Sequence, residues 1–148
     1  PYKFKITGRT KLFINAFGEE LIIDNAIEAL KQTCEKTGAT VMAFTAAPVF
    51  MEDGKKGAHE WIIEYGTPPV DLENFANILD TELKKVNSDY EAKRYKDMSL
   101  QRLILHAARP NLFNDWLKEK GKLGGQNKVP QLWNDRTHID ELLKMNQG

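Results

Sequence analysis

"TVMAFTAAPVFMEDGKKGAHEWIIEY", residues 40–65, is the stretch on which the fold turns. Its first part, 40–50, is apolar and rich in strand-forming residues, and reads as a β-strand. Pro48 has no N–H to give to a ladder, so this strand belongs at a sheet edge or at a bulge. "EDGKKG" (52–57) reads as a hairpin turn. "AHEWIIEY" (58–65) is the return strand, with His59, Trp61, Ile63 and Tyr65 on one face.

Upstream, "YKFKIT" (2–7) alternates Tyr2, Phe4 and Ile6 with Lys3, Lys5 and Thr7, the period of a half-buried strand. "GRTK" (8–11) is a turn, "LFINAF" (12–17) a second short strand or extended loop, and Gly18 closes it. Asp24 is placed to cap a helix running to about Lys36, with Ala26, Ile27, Leu30 and Cys34 inward and Gly38 as terminator. Downstream, Asp71 caps a helix whose Leu72, Phe75, Ala76, Leu79, Leu83 and Val86 recur at helical spacing. Residues 87–97 are polar and fit a short helix. "RLILHAA" (102–108) is a fourth main strand. Asn111 caps a helix with Phe113, Trp116 and Leu117 inward, ended by Gly121. Thr137 and Asp140 resemble a capping pair for a last helix through Ile139, Leu142 and Leu143. The predicted fold is α+β, a two-layer sandwich. It is a split β-α-β-β-α-β ferredoxin-like sheet with helices on one face, an extra N-terminal β-hairpin and a C-terminal helix.

The composition narrows function by exclusion. With 148 residues, 41% of them hydrophobic, the chain suffices for one domain with a core. Lys plus Arg equals Asp plus Glu at 21 each, so nothing calls for a nucleic acid or an anionic membrane as partner. The single Cys34 excludes an internal disulfide and fits a reducing compartment, so a cytoplasmic location is expected. Cys34 itself sits on the apolar helix face and reads as an inert core thiol. His59, His106 and His138 form no close pair, so no metal site is expected. His59 reads as a strand residue paired with a glutamate or with backbone. No phosphate loop of the G-x-x-x-x-G-K-[ST] type is present.

Two glycine-containing segments remain: "GRTKLFINAFGEELIIDNAIEAL" (8–30) and "GKLGGQNKVPQLWNDR" (121–136). Each puts basic residues on irregular backbone, where a side chain can meet a ligand or another domain. The first resembles the hinge motif of adenylate-forming enzymes, Gly-Arg-x-Asp/Lys followed by an apolar strand, a glycine and an acidic pair. More narrowly, "GRTK-FINAFGEEL-DNA", "EAKR" (91–94) and "GKLGGQNKVP" together resemble the C-terminal domain of the Gretchen Hagen family of auxin-responsive acyl-acid amido synthetases, in its bacterial branch.

The resemblance implies a two-step reaction. ATP and a carboxylic acid give an acyl-adenylate and pyrophosphate; an amine, typically of an amino acid, then displaces AMP. ATP and Mg would be bound mainly by a large N-terminal domain, which is this domain's partner and lies outside these 148 residues. The start at Pro1, without an initiator methionine, reads as a fragment of something longer, inactive alone. By the resemblance, Gly8 and Lys11 fall on the hinge, Arg9 beside the nucleotide, and Lys128 on a catalytic lysine that reaches the acid and the phosphate. Gly124 and Gly125 would support its loop. Relatives often carry Arg where Gln131 stands, so that position is assigned nothing. The plant enzymes differ more in the hinge, and auxin or jasmonate specificity does not transfer. The alternative is a stand-alone ferredoxin-like ligand-binding or regulatory module, with "HEWIIEY" lining a ligand-facing sheet.

Overall fold

The computed structural model describes residues 13–50, 57–95, 100–120 and 131–147. Its elements run β1 (Phe13–Ile14), β2 (Leu21–Ile22), α1 (Ile23–Thr37), β3 (Thr40–Phe50), β4 (Gly57–Thr67), α2 (Leu72–Val86), α3 (Ser88–Arg94), β5 (Ile104–Ala107), α4 (Leu112–Glu119) and α5 (Thr137–Gln147). The expected strand at 2–7, the "GRTK" turn and the hairpin turn fall in stretches outside the described residues.

The hairpin forms as its sequence demands. β3 and β4 pair antiparallel from Thr40 opposite Thr67 to Phe50 opposite Gly57. The strand order is β3-β4-β5, so β3 is an edge strand and tolerates Pro48; the ladder's irregularities lie at Thr40–Ala43, away from it. β5 lies directly beside β4 and parallel to it, which the α2–α3 crossover allows. β1 and β2 form a separate two-stranded ribbon.

The α+β class and the order of elements from α1 onward are as expected, whereas the strand at Leu21–Ile22, which pairs with β1, is not; a second helical layer refines the rest. Alternate residues of β4 enter two different cores. Trp61 and Ile63 pack with Leu30, Phe75, Leu79 and Leu83 of α1 and α2. Ile62 packs with Phe113, Trp116, Ile139 and Leu142 of α4 and α5. Helices therefore cover both faces, not one. Each of these large side chains contributes about 1.5–3 kcal/mol by leaving water, so neither layer is incidental.

Helix ends follow the sequence in some places and depart in others. Asp71 caps α2 as expected, accepting from Glu73 N and Asn74 N. Gly38, at φ 81°, ends α1 and donates its N–H to Cys34 O at 2.8 Å. Asp24 is not the cap of α1: it lies in the first turn, and Asn25 Oδ1 accepts from Ile22 N instead. Ile27 is half exposed because α1 packs on α2 as well as on the sheet, which moves its buried stripe to Ala26, Ala29, Leu30 and Thr33. Asn111 precedes α4 but makes no side-chain cap bond; at φ 66° it supplies a left-handed conformation that asparagine tolerates. The α4 helix stops at Glu119, before Gly121. For α5, the capping pair is not Thr137 with Asp140. Asp135 Oδ1 accepts from Thr137 N at 2.9 Å, while Asp140 is taken up by Arg136.

Candidate functional site

Gly8, Arg9, Lys11, Gly124, Gly125 and Lys128 all lie outside the described residues. The chain flanking them is described, and it converges. Gln131, Leu132 and Trp133, leaving the second glycine segment, run alongside the open edge of β3. Ala46 N donates to Gln131 O at 2.9 Å and Trp133 N donates to Ala46 O at 3.1 Å. Leu132 between them is fully buried. Asn15, in the first segment, donates its N–H to Asn134 Oδ1 at 2.8 Å. Asn15 and Asn134, 119 positions apart in the chain, thus bring the two segments together at one corner of the sheet.

The turn at that corner is anchored from below. Glu19 has no exposed surface; one carboxylate oxygen accepts from Phe17 N at 2.8 Å and the other lies 2.5 Å from His59 Nε2. His59 is buried too, and among the described residues its Nδ1 has no hydrogen-bond partner. Phe17 packs at a tilt against Phe50 with ring centroids 4.9 Å apart and sits so close to Gly57 that a Cβ there would come within 2.2 Å of its ring. The His59 ring faces Tyr90 at 5.5 Å, whose hydroxyl donates to Asp80 at 2.6 Å. Arg94 grips both oxygens of Asp80, at 2.7 Å through Nη2 and 2.9 Å through Nε. Burial, and then the Asp80 charge, pushes the Tyr90 hydroxyl well above the ordinary tyrosine range, so it remains a donor. Glu19 of "FGEEL" and Arg94 of "EAKR" therefore build a buried polar knot, and neither is a solvent-facing catalytic group.

A second cluster occupies the other face of β4. Glu60 Oε2 lies 2.6 Å from His106 Nε2, and Glu60 Oε1 accepts from Arg136 Nη2 at 2.8 Å. Arg136 also donates to Pro48 O at 3.0 Å and to Asp140. The hydrogen bond from His106, followed by Arg136, holds the Glu60 carboxyl below the ordinary range against the opposing effect of burial. Arg136 is the last residue of the second glycine segment, so this cluster clamps that segment to β3 and β4.

The expectation for His59 holds, with Glu19 as its partner. Burial raises the Cys34 thiol, in keeping with an inert group. The ligand-facing sheet of the alternative reading is overturned: Gly57 to Ile63 are buried, because helices cover both faces of β4. Among the described residues there is no group of three or more His, Cys, Asp and Glu that could hold a metal ion. No helix among them is long and apolar enough to cross a membrane.

The family model described as GH3 family C-terminal domain matches residues 24–137. The chain belongs to this family. No curated protein matches. Two solved structures share the GH3 C-terminal fold. One is titled GH3.15 acyl acid amido synthetase: TM-score 0.68, 18% identity, over 93% of this chain and 25% of that one. The other is AtGH3.15 acyl acid amido synthetase in complex with 2,4-DB: TM-score 0.66, 16% identity, over 92% of this chain and 26% of that one. The chain thus spans about a quarter of the length of these GH3 structures. The match includes His59, Asp80, Tyr90, Arg94 and Asn134, whereas Asn15 and Glu19 precede it.

Proposed function

We propose that the chain is the C-terminal domain of a cytoplasmic, ATP-dependent acyl-acid amido synthetase of bacterial type. Such an enzyme adenylates a carboxylic acid and transfers the acyl group to an amine such as that of an amino acid. The observation that carries the reading is the family match over 24–137, joined to the convergence of the two glycine segments at Ala46 and Asn15. ATP and Mg would be held mainly by an N-terminal partner domain, and the described residues are given no share in that binding.

The chemistry assigned to this chain is electrostatic. Lys128 would set an ammonium against the charge that develops on the phosphate oxygens during adenylation. Arg9 would lie beside the nucleotide. Gly8 and Lys11 would form the hinge on which the domain turns between the two half-reactions. Gly124 and Gly125 would let the backbone approach the substrate closely.

Lys128→Ala in the enzyme that carries this domain should slow pyrophosphate release by roughly 10²–10³-fold, the usual scale for losing one such contact. Transfer from a pre-made acyl-adenylate should suffer less. Pre-steady-state measurement of the two half-reactions decides it, and adenylation at the parent rate sinks the reading.

A further inference from the structure

Asn15 is committed to its turn on two sides. Its carbonyl accepts from Gly18 N at 3.2 Å and its Oδ1 from Glu20 N at 3.3 Å. Glu20 is held at φ 45°, a conformation few non-glycine residues adopt, so the turn has little freedom to relax. Beneath it, Glu19 fixes the turn to His59 and Phe17 fixes it to Phe50. The Asn15 N–H points away from the turn, to Asn134 Oδ1.

Asn134 belongs to a second anchored block. Gln131 and Trp133 use both backbone polar groups of Ala46, Leu132 is buried in the core, and Arg136 grips Pro48 and Glu60. Each block is therefore tied to the sheet by its own bonds. The Asn15–Asn134 bond is a direct tie between the two blocks at that corner, added to their separate attachments.

We infer that Asn134 is a positioning residue, which locks the exit of the second glycine segment to the strand leaving the first. A group that must meet developing charge has to be held to within about 0.5 Å. A direct bond between the two blocks narrows the play left by their separate attachments. The inference rests on the functional reading above for its consequence, and on the geometry alone for the lock.

Asn134→Ala and Asn134→Asp test it, in the chain described here and in the enzyme that carries it. In the chain, Asn134→Ala should speed amide exchange at Asn15 by roughly 3- to 10-fold, the scale of one exposed hydrogen bond, with the melting temperature unchanged. In the enzyme it should slow adenylation by a similar factor, through kcat and not KM, with transfer from a pre-made acyl-adenylate changed less. Asn134→Asp keeps the acceptor oxygen and should restore both readouts. Unchanged exchange at Asn15 overturns the lock; raised exchange with both half-reactions at the parent rate overturns its role. Lys128→Ala run alongside separates the two ideas, since its failure removes the functional reading while Asn15 exchange still decides the lock.

Discussion

His59 and Glu60 are neighbours on β4, and each belongs to a glutamate–histidine pair, yet the two pairs are physically unlike. Strand alternation sends His59 toward α1, α2 and α3 and Glu60 toward α4 and α5. The first pair, with Glu19, has no exposed side-chain surface. The second, with His106, is partly open, its histidine side chain 36% exposed. The same chemistry at nearly the same separation, 2.5 Å and 2.6 Å, therefore serves two ends. In the closed pair, neither group can fall back on water if its partner is lost. In the open pair, solvent and Arg136 share the load. Environment, not residue type, sets what such a pair contributes.

The largest test of that contrast is Glu19→Ala. It leaves a buried histidine with neither a carboxylate nor water on Nε2, and should cost about 3–5 kcal/mol in denaturant unfolding. The double change Glu19→Leu with His59→Phe should recover most of the loss, because an apolar pair of similar size avoids the desolvation cost. If Glu19→Ala unfolds at the parent midpoint, the closed pair is not the anchor proposed for the turn at Asn15.

A smaller effect, with a definite pH course, belongs to the open pair. Folding holds the Glu60 carboxyl below its ordinary value, so the ionised form stabilises the fold above the unfolded carboxylate range and stops doing so as pH falls through the folded value. Glu60→Gln should cost about 1–2 kcal/mol at pH 7. Urea midpoints for parent and variant should converge only once the pH has fallen through the lowered value of the folded state, where the parent carboxyl is protonated in both states. A gap that persists at acid pH would assign the loss to packing and not to charge.

The smallest effect sharpens the α4–α5 side of the comparison. Asp135→Ala removes the acceptor that caps α5 and should cost about 1 kcal/mol. Thr137→Ala should cost less, since it keeps the backbone N–H that Asp135 accepts and loses only the weaker contribution of the hydroxyl. A reversed order in thermal unfolding would restore the Thr137–Asp140 cap expected from the sequence.

Legibility in the sequence followed the range of the interaction. Asp71 as a cap and Gly38 as a terminator were readable because each acts within a few residues of itself. The apolar inward set of α2 was readable at Phe75, Ala76, Leu79 and Leu83, whereas the buried Asp80 and Glu82 beside it carry no apolar pattern. Ile27 was misread because α1 meets two surfaces at once, and a periodicity cannot say which of them wins. At the candidate site, the motifs marked two segments whose described residues meet in the fold, but not the roles of those residues. Glu19 and Arg94 carried the resemblance and proved to be buried anchors. Asn15 and Asn134 carried no local signal at all.

By itself the sequence determined the hairpin, most of the helices, the α+β class and the family, because periodicity, turn chemistry and short motifs are local and survive without a fold. Only the tertiary structure decided that helices cover both faces of β4 and that His59 and Glu60 work in separate environments. It alone joined Asn15 to Asn134. Burial and long-range hydrogen bonds depend on which distant surfaces meet, and a linear pattern holds no record of that.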